Sequence, residues 1–479
     1  MSQTRIEKDT MGEMTVPADA LYGASTQRAV ENFPISGRPV PAPVIHAYGH
    51  LKAACAFVNH DLDRLNAPRF EAITKAAEEI AAGHHDAHFP VDVFQTGSGT
   101  STNMNANEVI ANLVCVANGQ PIGSSKNADY IKADDPESAG VHPNDHVNMG
   151  QSSNDTFPTA MHIAAVLCIR DALIPAIRHM AGRLESHARD WDRIVKIGRT
   201  HLQDATPIRL GQEFSGFAAQ MRKAEARAHH AMETLLELPI GGTAVGTGIN
   251  THPEFGARVC ARLAERLNAP FREADNHFEA QHAKDGYVSA SGDLKTIAVS
   301  MSKIASDIRL LGCGPRCGIG ELRLPAVQPG SSIMPGKVNP VICEAIMMIV
   351  CQVIGNDAAV AAGGLGGVGS LLDLNVAMPM MADNLLTSVE LLANGCNVFT
   401  DKLLEDLAPD EDRCAELIEG SLAMCTSLVP AIGYDKSAAI AKQAYAEGKT
   451  VRELALEQGV LDESELNRLL DPAKMTEGD

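Results

Sequence analysis

A regular spacing of apolar residues in the middle of the chain limits the folds open to it. Between Phe214 and Leu238 these residues recur at steps of three and four, about 3.5 on average, which is typical of a helix in a left-handed bundle. The stripe consists of Phe214, Phe217, Met221, Ala224, Ala228, Ala231, Leu235 and Leu238. Similar patterns cover residues 158–191, 293–311, 340–361 and 380–399. Because strand patterns are few, we predict a mainly all-α fold with a long central helical bundle.

The length of the chain and the changes in its composition predict three domains. A chain of 479 residues corresponds to about three domains of ordinary size. We expect smaller N- and C-terminal domains at residues 1–149 and 406–479, on either side of the bundle at 150–405. The polar stretch 119–140 is expected to form an exposed loop. Helices this long rarely bury their whole apolar stripe within one chain, so we expect the bundle to form an oligomer.

The charge balance argues against nucleic-acid binding. The chain has 60 Asp and Glu residues against 40 Lys and Arg residues, a net charge of −20, and aromatic residues make up only 4% of it. Binding to a phosphate backbone needs a basic surface, and base stacking needs aromatic side chains. We therefore expect no nucleic-acid partner.

Cysteine usage and hydropathy predict a cytoplasmic protein. The 11 cysteines are dispersed and odd in number, which is typical of a chain kept in a reducing compartment. Residues 1–15 are polar and charged, so we predict no secretory signal peptide there. The best candidate for a membrane span, residues 345–354, is short and contains Gln352. We interpret it as buried core and expect no membrane association.

Segments rich in Gly, Ser, Thr and Asn interrupt the helical patterns at five places. They lie at residues 95–103, 150–155, 198–204, 241–250 and 329–340. Several lead straight into a predicted helix, where hydroxyl groups and backbone N–H groups at the positive helix end suit an anion. The same residue types also cap helices without any ligand. For any one segment the two interpretations carry similar weight, but five such segments favour anion binding.

The segment 329–340 has the composition of a loop that closes over a small anionic group. Gly330 and Gly336 permit an unusual backbone, and Ser331–Ser332 supply two adjacent hydroxyl groups. Lys337 adds a positive charge and Asn339 adds a neutral donor, as in lid loops that complete catalytic sites. The alternative is a surface turn that happens to contain a lysine.

A candidate acid–base group lies in the segment 198–204. His201 stands in a polar break just before a helical stretch. Glu344, in the first turn after Pro340, is a suitable carboxylate to orient or charge it. A single histidine is more often structural than catalytic, and the sequence does not show that these two side chains meet.

Two other patterns resemble binding motifs but lack the context those motifs need. Residues 364–369 match the dinucleotide-binding fingerprint, yet they follow a helical pattern and no βαβ unit surrounds them. His84, His85 and His88 have helical spacing for a metal, but no cysteine or carboxylate pattern completes a closed site. We therefore predict no bound nucleotide and no metal.

At the Gly-, Ser- and Asn-rich segments the chain resembles a known family, the class II (fumarase C type) fumarate hydratases of the fumarase/aspartase superfamily. The resemblance runs from Met11 to Met475, and Gly330–Pro340 is the superfamily's highly specific signature loop. His201 stands where aspartases usually carry Gln, and Ser153 where they tend to carry Thr. Cys343 is also fumarase-like, although the two residues before it lean toward aspartases.

The resemblance implies three domains, a long helical bundle and a homotetramer whose active sites each combine residues of three subunits. His201, charged through Glu344, would donate or accept a proton, and Ser331 would be the catalytic residue of the loop. The implied substrate-binding residues are Ser98, Gly99, Thr100, Ser152, Ser153, Asn154, Thr200, Ser332, Lys337, Val338 and Asn339.

A second anion site is also implied, around His142, Pro143, Asn144 and Asp145. Some fumarases carry a basic residue three positions before this histidine, where this chain has Ala139, and the loop before it is acidic. Anion binding at the second site is the least supported of the implied properties.

The implied activity is reversible anti elimination of water from (S)-malate to give fumarate, a reaction of the tricarboxylic acid cycle that needs no cofactor. Ser331 is the favoured base, and the reverse assignment with His201 as base stays open. Aspartate ammonia-lyase is the alternative on the same fold, and an assay with malate against aspartate distinguishes the two. A non-catalytic structural protein would have no need of the Ser331, Lys337 and His201 set. A nicotinamide oxidoreductase would rest on residues 364–369 alone.

Overall fold

The structure is a computed structural model, and it describes residues 3–132 and 135–477. Within these residues most of the chain is helical, and the strands are short. The α-helices are α1 (Ala24–Asn32), α2 (Ala42–Asp61), α3 (Ala67–Ala81), α4 (Thr100–Ala117), α5 (Ala128–Ile131), α6 (Ser153–Cys168), α7 (Ile174–Asp190), α8 (Leu210–Glu233), α9 (Phe255–Leu267), α10 (His277–His282), α11 (Asp285–Leu311), α12 (Val341–Gly364), α13 (Met378–Phe399), α14 (Glu411–Gly420), α15 (Val429–Ile432), α16 (Tyr434–Glu447), α17 (Val451–Glu457) and α18 (Glu463–Leu469).

The strands pair two by two, so the described residues contain no extended sheet. Antiparallel pairs join β1 to β2, β3 to β4, β7 to β10 and β8 to β9, and β5 pairs with β6 in parallel. The strands are β1 (Thr4–Asp9), β2 (Gly12–Pro17), β3 (Val195–Thr200), β4 (Gln203–Arg209), β5 (Glu237–Leu238), β6 (Arg272–Glu273), β7 (Leu322–Arg323), β8 (Ser370–Leu371), β9 (Leu374–Asn375) and β10 (Ala408–Pro409). The predicted mainly α-helical fold is confirmed.

The chain divides into two compact units. The first comprises Met1–Ile174, Arg227–Thr296 and Cys351–Leu392, and the second comprises Pro175–Ala226, Ile297–Val350 and Ala393–Asp479. The boundaries fall inside α8, α11, α12 and α13, so each of these long helices contributes residues to both units. The predicted division at residues 149 and 405 stays a prediction.

The apolar stripe predicted for the middle of the chain is buried along its whole length. All eight of its residues, from Phe214 to Leu238, are at most 4% exposed. The helix itself ends earlier than the pattern, at Glu233. The chain leaves the helix at Thr234, whose hydroxyl donates to the carbonyl groups of Ala231 and Gly286. The last two residues of the stripe therefore lie outside the helix: Leu235 is buried just before β5, and Leu238 is buried within β5.

Residues near the C-terminus form a hydrophobic core of their own within the second unit. It is built from helices α14 to α18 and the turns between them, with Ile418, Leu428, Leu454, Leu466 and Leu470 at its centre. Each of these side chains is at most 4% exposed. This core supports the predicted character of the C-terminal segment as a small helical region.

Two helical stretches in the described residues are long and apolar enough to span a membrane, by length and composition only. They are Ser153–Asp190, in which a π-helical turn at Ile169–Leu173 joins α6 to α7, and Val341–Gly364. The apolar window is 61% buried in the first stretch and 28% buried in the second. The bent pair Glu411–Gly420 and Leu422–Ile432 passes the same test only if it is counted as one span.

The exposed side of α12 contains large apolar side chains. Met348 is 68% exposed and Ile354 is 45% exposed, whereas Ile346 and Val353 on the other side are buried. The interpretation of residues 345–354 as buried core therefore holds for one face of α12 only. An exposed apolar face of this kind often marks a contact with another molecule.

Candidate active site

Three hydroxyl groups of the first unit lie in a row at the start of α4 and α6. Ser98 Oγ and Thr100 Oγ1 are hydrogen-bonded at 2.8 Å, and Thr100 Oγ1 and Ser153 Oγ are also 2.8 Å apart. Ser98 is buried, and the other two are partly exposed. The row joins two segments that are 53 residues apart in sequence and gives them a common set of neutral donors.

Ser152 has a structural role at the first turn of α6. Its hydroxyl oxygen accepts the backbone N–H of Asn154 at 3.2 Å, while the carboxylate of Asp155 accepts the N–H of Ser152 at 2.9 Å. This reciprocal pair is a capping box. The capping interpretation is therefore correct for Ser152. The hydroxyls of Thr100 and Ser153 make no such cap and can serve a ligand.

The segment 241–250 also contributes to the first unit's cluster. Asn154 donates from Nδ2 to the carbonyl of Ala244 at 2.8 Å. The second carboxylate oxygen of Asp155 accepts the N–H groups of Thr243 at 2.9 Å and Gly241 at 3.1 Å. Burial raises the pKa of Asp155 to about 6, although these backbone N–H groups oppose the change. Three of the five Gly-, Ser- and Asn-rich segments thus come together here.

His201 lies at the tip of a β-hairpin in the second unit. The sequence predicted a polar break before a helix, but residues 195–209 form β3 and β4, and α8 starts only at Leu210. Thr200 pairs with Gln203, so His201 and Leu202 form a two-residue turn with φ of 57° and 61°. Positive φ at both residues is what such a turn requires. Both side chains are exposed.

A buried charge cluster fixes the base of this hairpin. Arg199, next to Thr200, donates from Nη1 to the carboxylate of Glu321 at 2.9 Å. Lys196 lies 3.3 Å from the same carboxylate oxygen, and Glu321 and Lys196 are both buried. These ion pairs with Glu321 fix the position of the strand that leads to Thr200 and His201. The tip of the hairpin is exposed and can contact a ligand or another chain.

The loop at residues 329–340, also in the second unit, is closed by its own hydrogen bonds. Gly330 donates its N–H to the carbonyl of Lys337 at 2.8 Å, and Asn339 donates from Nδ2 to the carbonyl of Gly330 at 2.7 Å. Lys337 Nζ donates to Asn339 Oδ1. Ser332, Lys337 and Val338 are exposed. The loop therefore has a defined shape with its charged and hydroxyl groups pointing outward.

Ser331 occupies a special position within this loop. Its hydroxyl oxygen accepts the backbone N–H groups of Ile333 at 3.3 Å and Met334 at 3.1 Å. Two N–H groups aimed at one oxygen favour its negatively charged form. This environment suits the catalytic role that the resemblance implies for Ser331, and that role stays a prediction.

Glu344 lies in the first turn of α12 and is exposed. Among the described residues of the second unit, no hydrogen bond or ion pair joins it to His201. A pairing of these two side chains remains a prediction.

The residues of the predicted second anion site form a short π-helical turn, Pro143–Val147, with His142 as its N-cap. The Nδ1 atom of His142 accepts the N–H of Asp145 at 3.1 Å and lies 3.0 Å from the Asp145 carboxylate. Burial lowers the pKa of His142 and lowers that of His146 to about 4. A lowered pKa reduces the positive charge that these imidazoles offer to an anion, and Asn144 is exposed. Anion binding there stays a prediction.

The other sequence patterns have structural roles. Residues 364–369 follow α12 and lead into the β8–β9 hairpin, which is not the strand–turn–helix context of a dinucleotide site. His85 is 2.8 Å from Glu79, and His88 accepts the N–H of Leu21. Across residues 3–132 and 135–477, no group of three or more His, Cys, Asp and Glu side chains has the geometry to hold a metal ion.

Sequence reasoning missed Lys52, which is fully buried in α2 and donates to Asn103 of α4 and to Gln151 just before α6. The available signal was a single lysine within the otherwise apolar run from Leu51 to Val58.

Gly99, at the N-cap of α4, provides a test of the packing between the start of α4 and Phe157 of α6. Its φ is +73°, and a Cβ atom there would lie 2.0 Å from Cδ2 of Phe157. We expect Gly99→Ala to destabilise the protein by about 2–4 kcal/mol, since left-handed strain and overpacking add together. Gly119→Ala is the matched control, because Gly119 has a φ of +71° with nothing within 4 Å of its Cβ position. Urea denaturation measures both, and equal losses would show that contact with Phe157 is unimportant.

Two family matches cover most of the chain. The family described as Lyase matches residues 12–355, and the family described as Fumarase C C-terminus matches residues 424–477. A protein of Corynebacterium glutamicum named fumarate hydratase class II is 52% identical, over 98% of this chain and 96% of its own length.

Solved structures share the fold over nearly the whole length. The class II fumarase of Schistosoma mansoni has a TM-score of 0.92 at 35% identity and covers 99% of both chains. A protein of Brucella melitensis titled fumarate lyase:delta crystallin, solved bound to cobalt, has a TM-score of 0.92 at 41% identity, over 99% of this chain and 100% of its own. On this identity across its full length, the chain belongs to the class II fumarate hydratase family.

Proposed function

We propose that this protein catalyses the reversible hydration of fumarate to (S)-malate. The observation that carries the proposal is the loop at residues 329–340, in which Ser331 accepts two backbone N–H groups close to the exposed Lys337. This loop combines an activated oxygen with a positive charge, as the removal of a proton next to a carboxylate requires. The full-length identity to proteins named fumarate hydratase supports a four-carbon dicarboxylate as substrate.

The proposed elimination starts from Ser331 as an alkoxide, its own hydroxyl proton having left to solvent, and the alkoxide takes up a C3 proton of malate to become a hydroxyl group. The electron pair of the broken C–H bond moves onto the neighbouring carboxylate, which becomes a doubly charged aci form. Lys337 and Asn339 stabilise this charge, because donors already in place need no reorganisation as charge develops. The bond between C2 and oxygen then breaks, the C2–C3 double bond forms, and the leaving hydroxide takes a proton from His201 directly or through water. The reverse assignment, with His201 as base, is the alternative within this mechanism.

The hydroxyl row of Ser98, Thr100 and Ser153 would bind the other carboxylate. Neutral hydroxyl donors at helix N-termini suit an anion without a full positive charge. The proposed chemistry moves a proton and a hydroxide without net oxidation or reduction, so it requires no redox cofactor.

We propose further that the active unit is a homotetramer in which three subunits supply each site. Two observations support this proposal. His201 and Glu344 are both exposed and not bonded to each other within the described part of one chain, so a pairing between them calls for a second subunit. The exposed apolar face of α12, with Met348 and Ile354, calls for a covering partner. We also propose a cytoplasmic location and a role in the tricarboxylic acid cycle.

The main rival is aspartate ammonia-lyase activity on the same fold. Both reactions yield fumarate, whose conjugated double bond absorbs in the ultraviolet. We expect absorbance to rise with malate as substrate and to stay flat with aspartate. The opposite result would replace the proposed function by the ammonia-lyase, and a flat signal with both substrates would favour a structural role.

Ser331→Ala tests the proposed base. We expect loss of turnover by a factor of about 10³ or more, because no other group of the loop can take up the C3 proton. The melting temperature and the mass in solution should not change. Ser464→Ala, which removes an exposed hydroxyl on α18, is the control and should retain activity. Near-normal turnover of Ser331→Ala would remove this residue from the mechanism.

Lys337→Met tests the charge in the loop. We expect a higher KM and a kcat lower by about 10²–10³, since loss of one donor in a preorganised site typically costs this much. The control is Lys474→Met, which removes an exposed lysine near the C-terminus. A variant that loses stability but retains both kinetic parameters would contradict the proposed role.

Met348→Glu tests the proposed subunit contact. A buried, unpaired carboxylate is strongly unfavourable, so the variant should dissociate and lose activity. Sedimentation velocity measures the mass, and addition of wild-type protein should not restore a uniform tetramer. Tyr445→Glu, at a side chain that is 79% exposed on α16, should remain assembled. A Met348→Glu protein of unchanged mass would show that this face is not a subunit contact.

A further inference from the structure

Lys52 is a fully buried lysine whose hydrogen-bond acceptors are all neutral side-chain amides. It lies in the middle of α2 with an exposed fraction of 0%. Its Nζ atom donates to Oδ1 of Asn103 at 2.8 Å, Oε1 of Gln151 at 2.9 Å and Oδ1 of Asn148 at 3.1 Å. An ammonium group has three hydrogens, so each of them has one acceptor.

Two of these amides lie in or next to the helices that carry the hydroxyl row, and the third, Asn148, follows the π-helical turn Pro143–Val147. Asn103 is three residues after Thr100 in α4 and therefore lies on the same face of that helix. Gln151 directly precedes Ser152, the N-cap of α6. The ammonium group thus connects the first turn of α4 to the start of α6, the two helix ends whose hydroxyls Thr100 and Ser153 meet.

The remaining hydrogen-bonding groups of the amides are satisfied by each other and by the backbone. Asn103 donates from Nδ2 to Oδ1 of Asn148 at 3.1 Å, and Asn148 donates from its own Nδ2 to the carbonyl of Gln151 at 3.1 Å. Gln151 donates from Nε2 to the carbonyl of Val147 at 3.0 Å. Because lysine has only donors, it requires all three amide oxygens to point inward, and this fixes the orientation of each amide.

Burial of this charge is costly, and packing alone does not require it. Burial lowers the pKa of Lys52 to about 7, and the nearby carboxylate of Asp155 only partly opposes the change. An apolar side chain of similar length fills a core at a lower cost than a buried ion. The presence of a lysine here is therefore explained by the three amide side chains that it holds in position.

We propose that Lys52 is a positioning residue for substrate binding. It holds the start of α6 against the first turn of α4, so that the hydroxyls of Thr100 and Ser153 stay side by side. From these positions both hydroxyls can rotate and donate to one substrate carboxylate in place of the hydrogen bonds within the row. This inference rests on the proposed function, because it assigns the hydroxyl row to a carboxylate of fumarate or malate.

Lys52→Met tests the inference in the intact full-length enzyme, with Lys284→Met as the matched control. Lys284 is also buried in the first unit, and burial lowers its pKa to about 7 as well. Its Nζ atom donates only to backbone carbonyls at the end of α10, those of Ala280, Gln281 and Ala283. Both variants lose one buried charge and should be less stable, but only Lys52 connects the hydroxyl row.

We expect Lys52→Met to raise KM for malate by about 10- to 100-fold, the loss that a displacement of about 1 Å can cause. Its kcat should change by less than about threefold, because hydroxyls that bind the carboxylate equally well throughout the reaction affect KM alone. The inhibition constant of succinate, an unreactive dicarboxylate, should rise in parallel. Lys284→Met should retain both constants when assayed well below its melting temperature.

The possible contrary results are distinct. An unchanged KM in folded Lys52→Met, or an equal rise in Lys284→Met, would overturn the inference while leaving the proposed function intact. Absence of hydratase activity in the unaltered protein would overturn the proposed function and this inference with it. If Lys52→Met does not fold, Gln151→Ala removes only one of the three acceptors. That variant should raise KM with little change in kcat, and an unchanged KM would overturn the inference.

Discussion

The buried carboxylate of Asp155 is the interaction on which the first unit's polar cluster depends. Its oxygens accept backbone N–H groups from Ser152, Gly241 and Thr243. The first of these bonds closes the capping box of α6, and the other two fix the segment that follows β5. One side chain thereby satisfies the N–H group at the start of α6 and two N–H groups of the loop after β5, and it brings together segments nearly 90 residues apart in sequence. The neighbouring hydroxyl groups are left available because Asp155 and Ser152 already satisfy the helix end.

The net negative charge of the chain limits how the protein can attract an anionic substrate. With a net charge of −20, the protein does not attract a dianion over long distances, although screening by physiological salt limits the repulsion to about 8 Å. The attraction must therefore be local. In the proposed mechanism Lys337 would supply it in the loop, and neutral donors at helix N-termini would supply it in the hydroxyl row.

Much of the helical framework could be predicted from residue spacing. The stripe from Phe214 to Leu238 is buried throughout, and the C-terminal ends of helices α11, α12 and α13 lie within three residues of the predicted ends, although α11 starts at Asp285 and not at residue 293. The spacing did not reveal where α8 ends, because Leu235 and Leu238 remain buried after the chain has left the helix at Thr234. It also missed the β3–β4 hairpin. The alternation in two short strands is weak, and the turn at His201 and Leu202 contains no Gly or Asn that would have indicated positive φ.

The sequence by itself determined which residue types are available for chemistry and which segments they occupy. Glycine, serine and asparagine interrupt long helical patterns, and this composition indicates helix ends and a loop suited to an anion whatever the tertiary fold. Only the tertiary structure decided which of these groups meet. Thr100 reaches Ser153, and Lys52 reaches Asn103, Asn148 and Gln151, because α2, α4 and α6 belong to one packed unit. Side chains separated by 50 to 100 positions come together through the burial of apolar faces, and a pattern of local spacing contains no information about that contact.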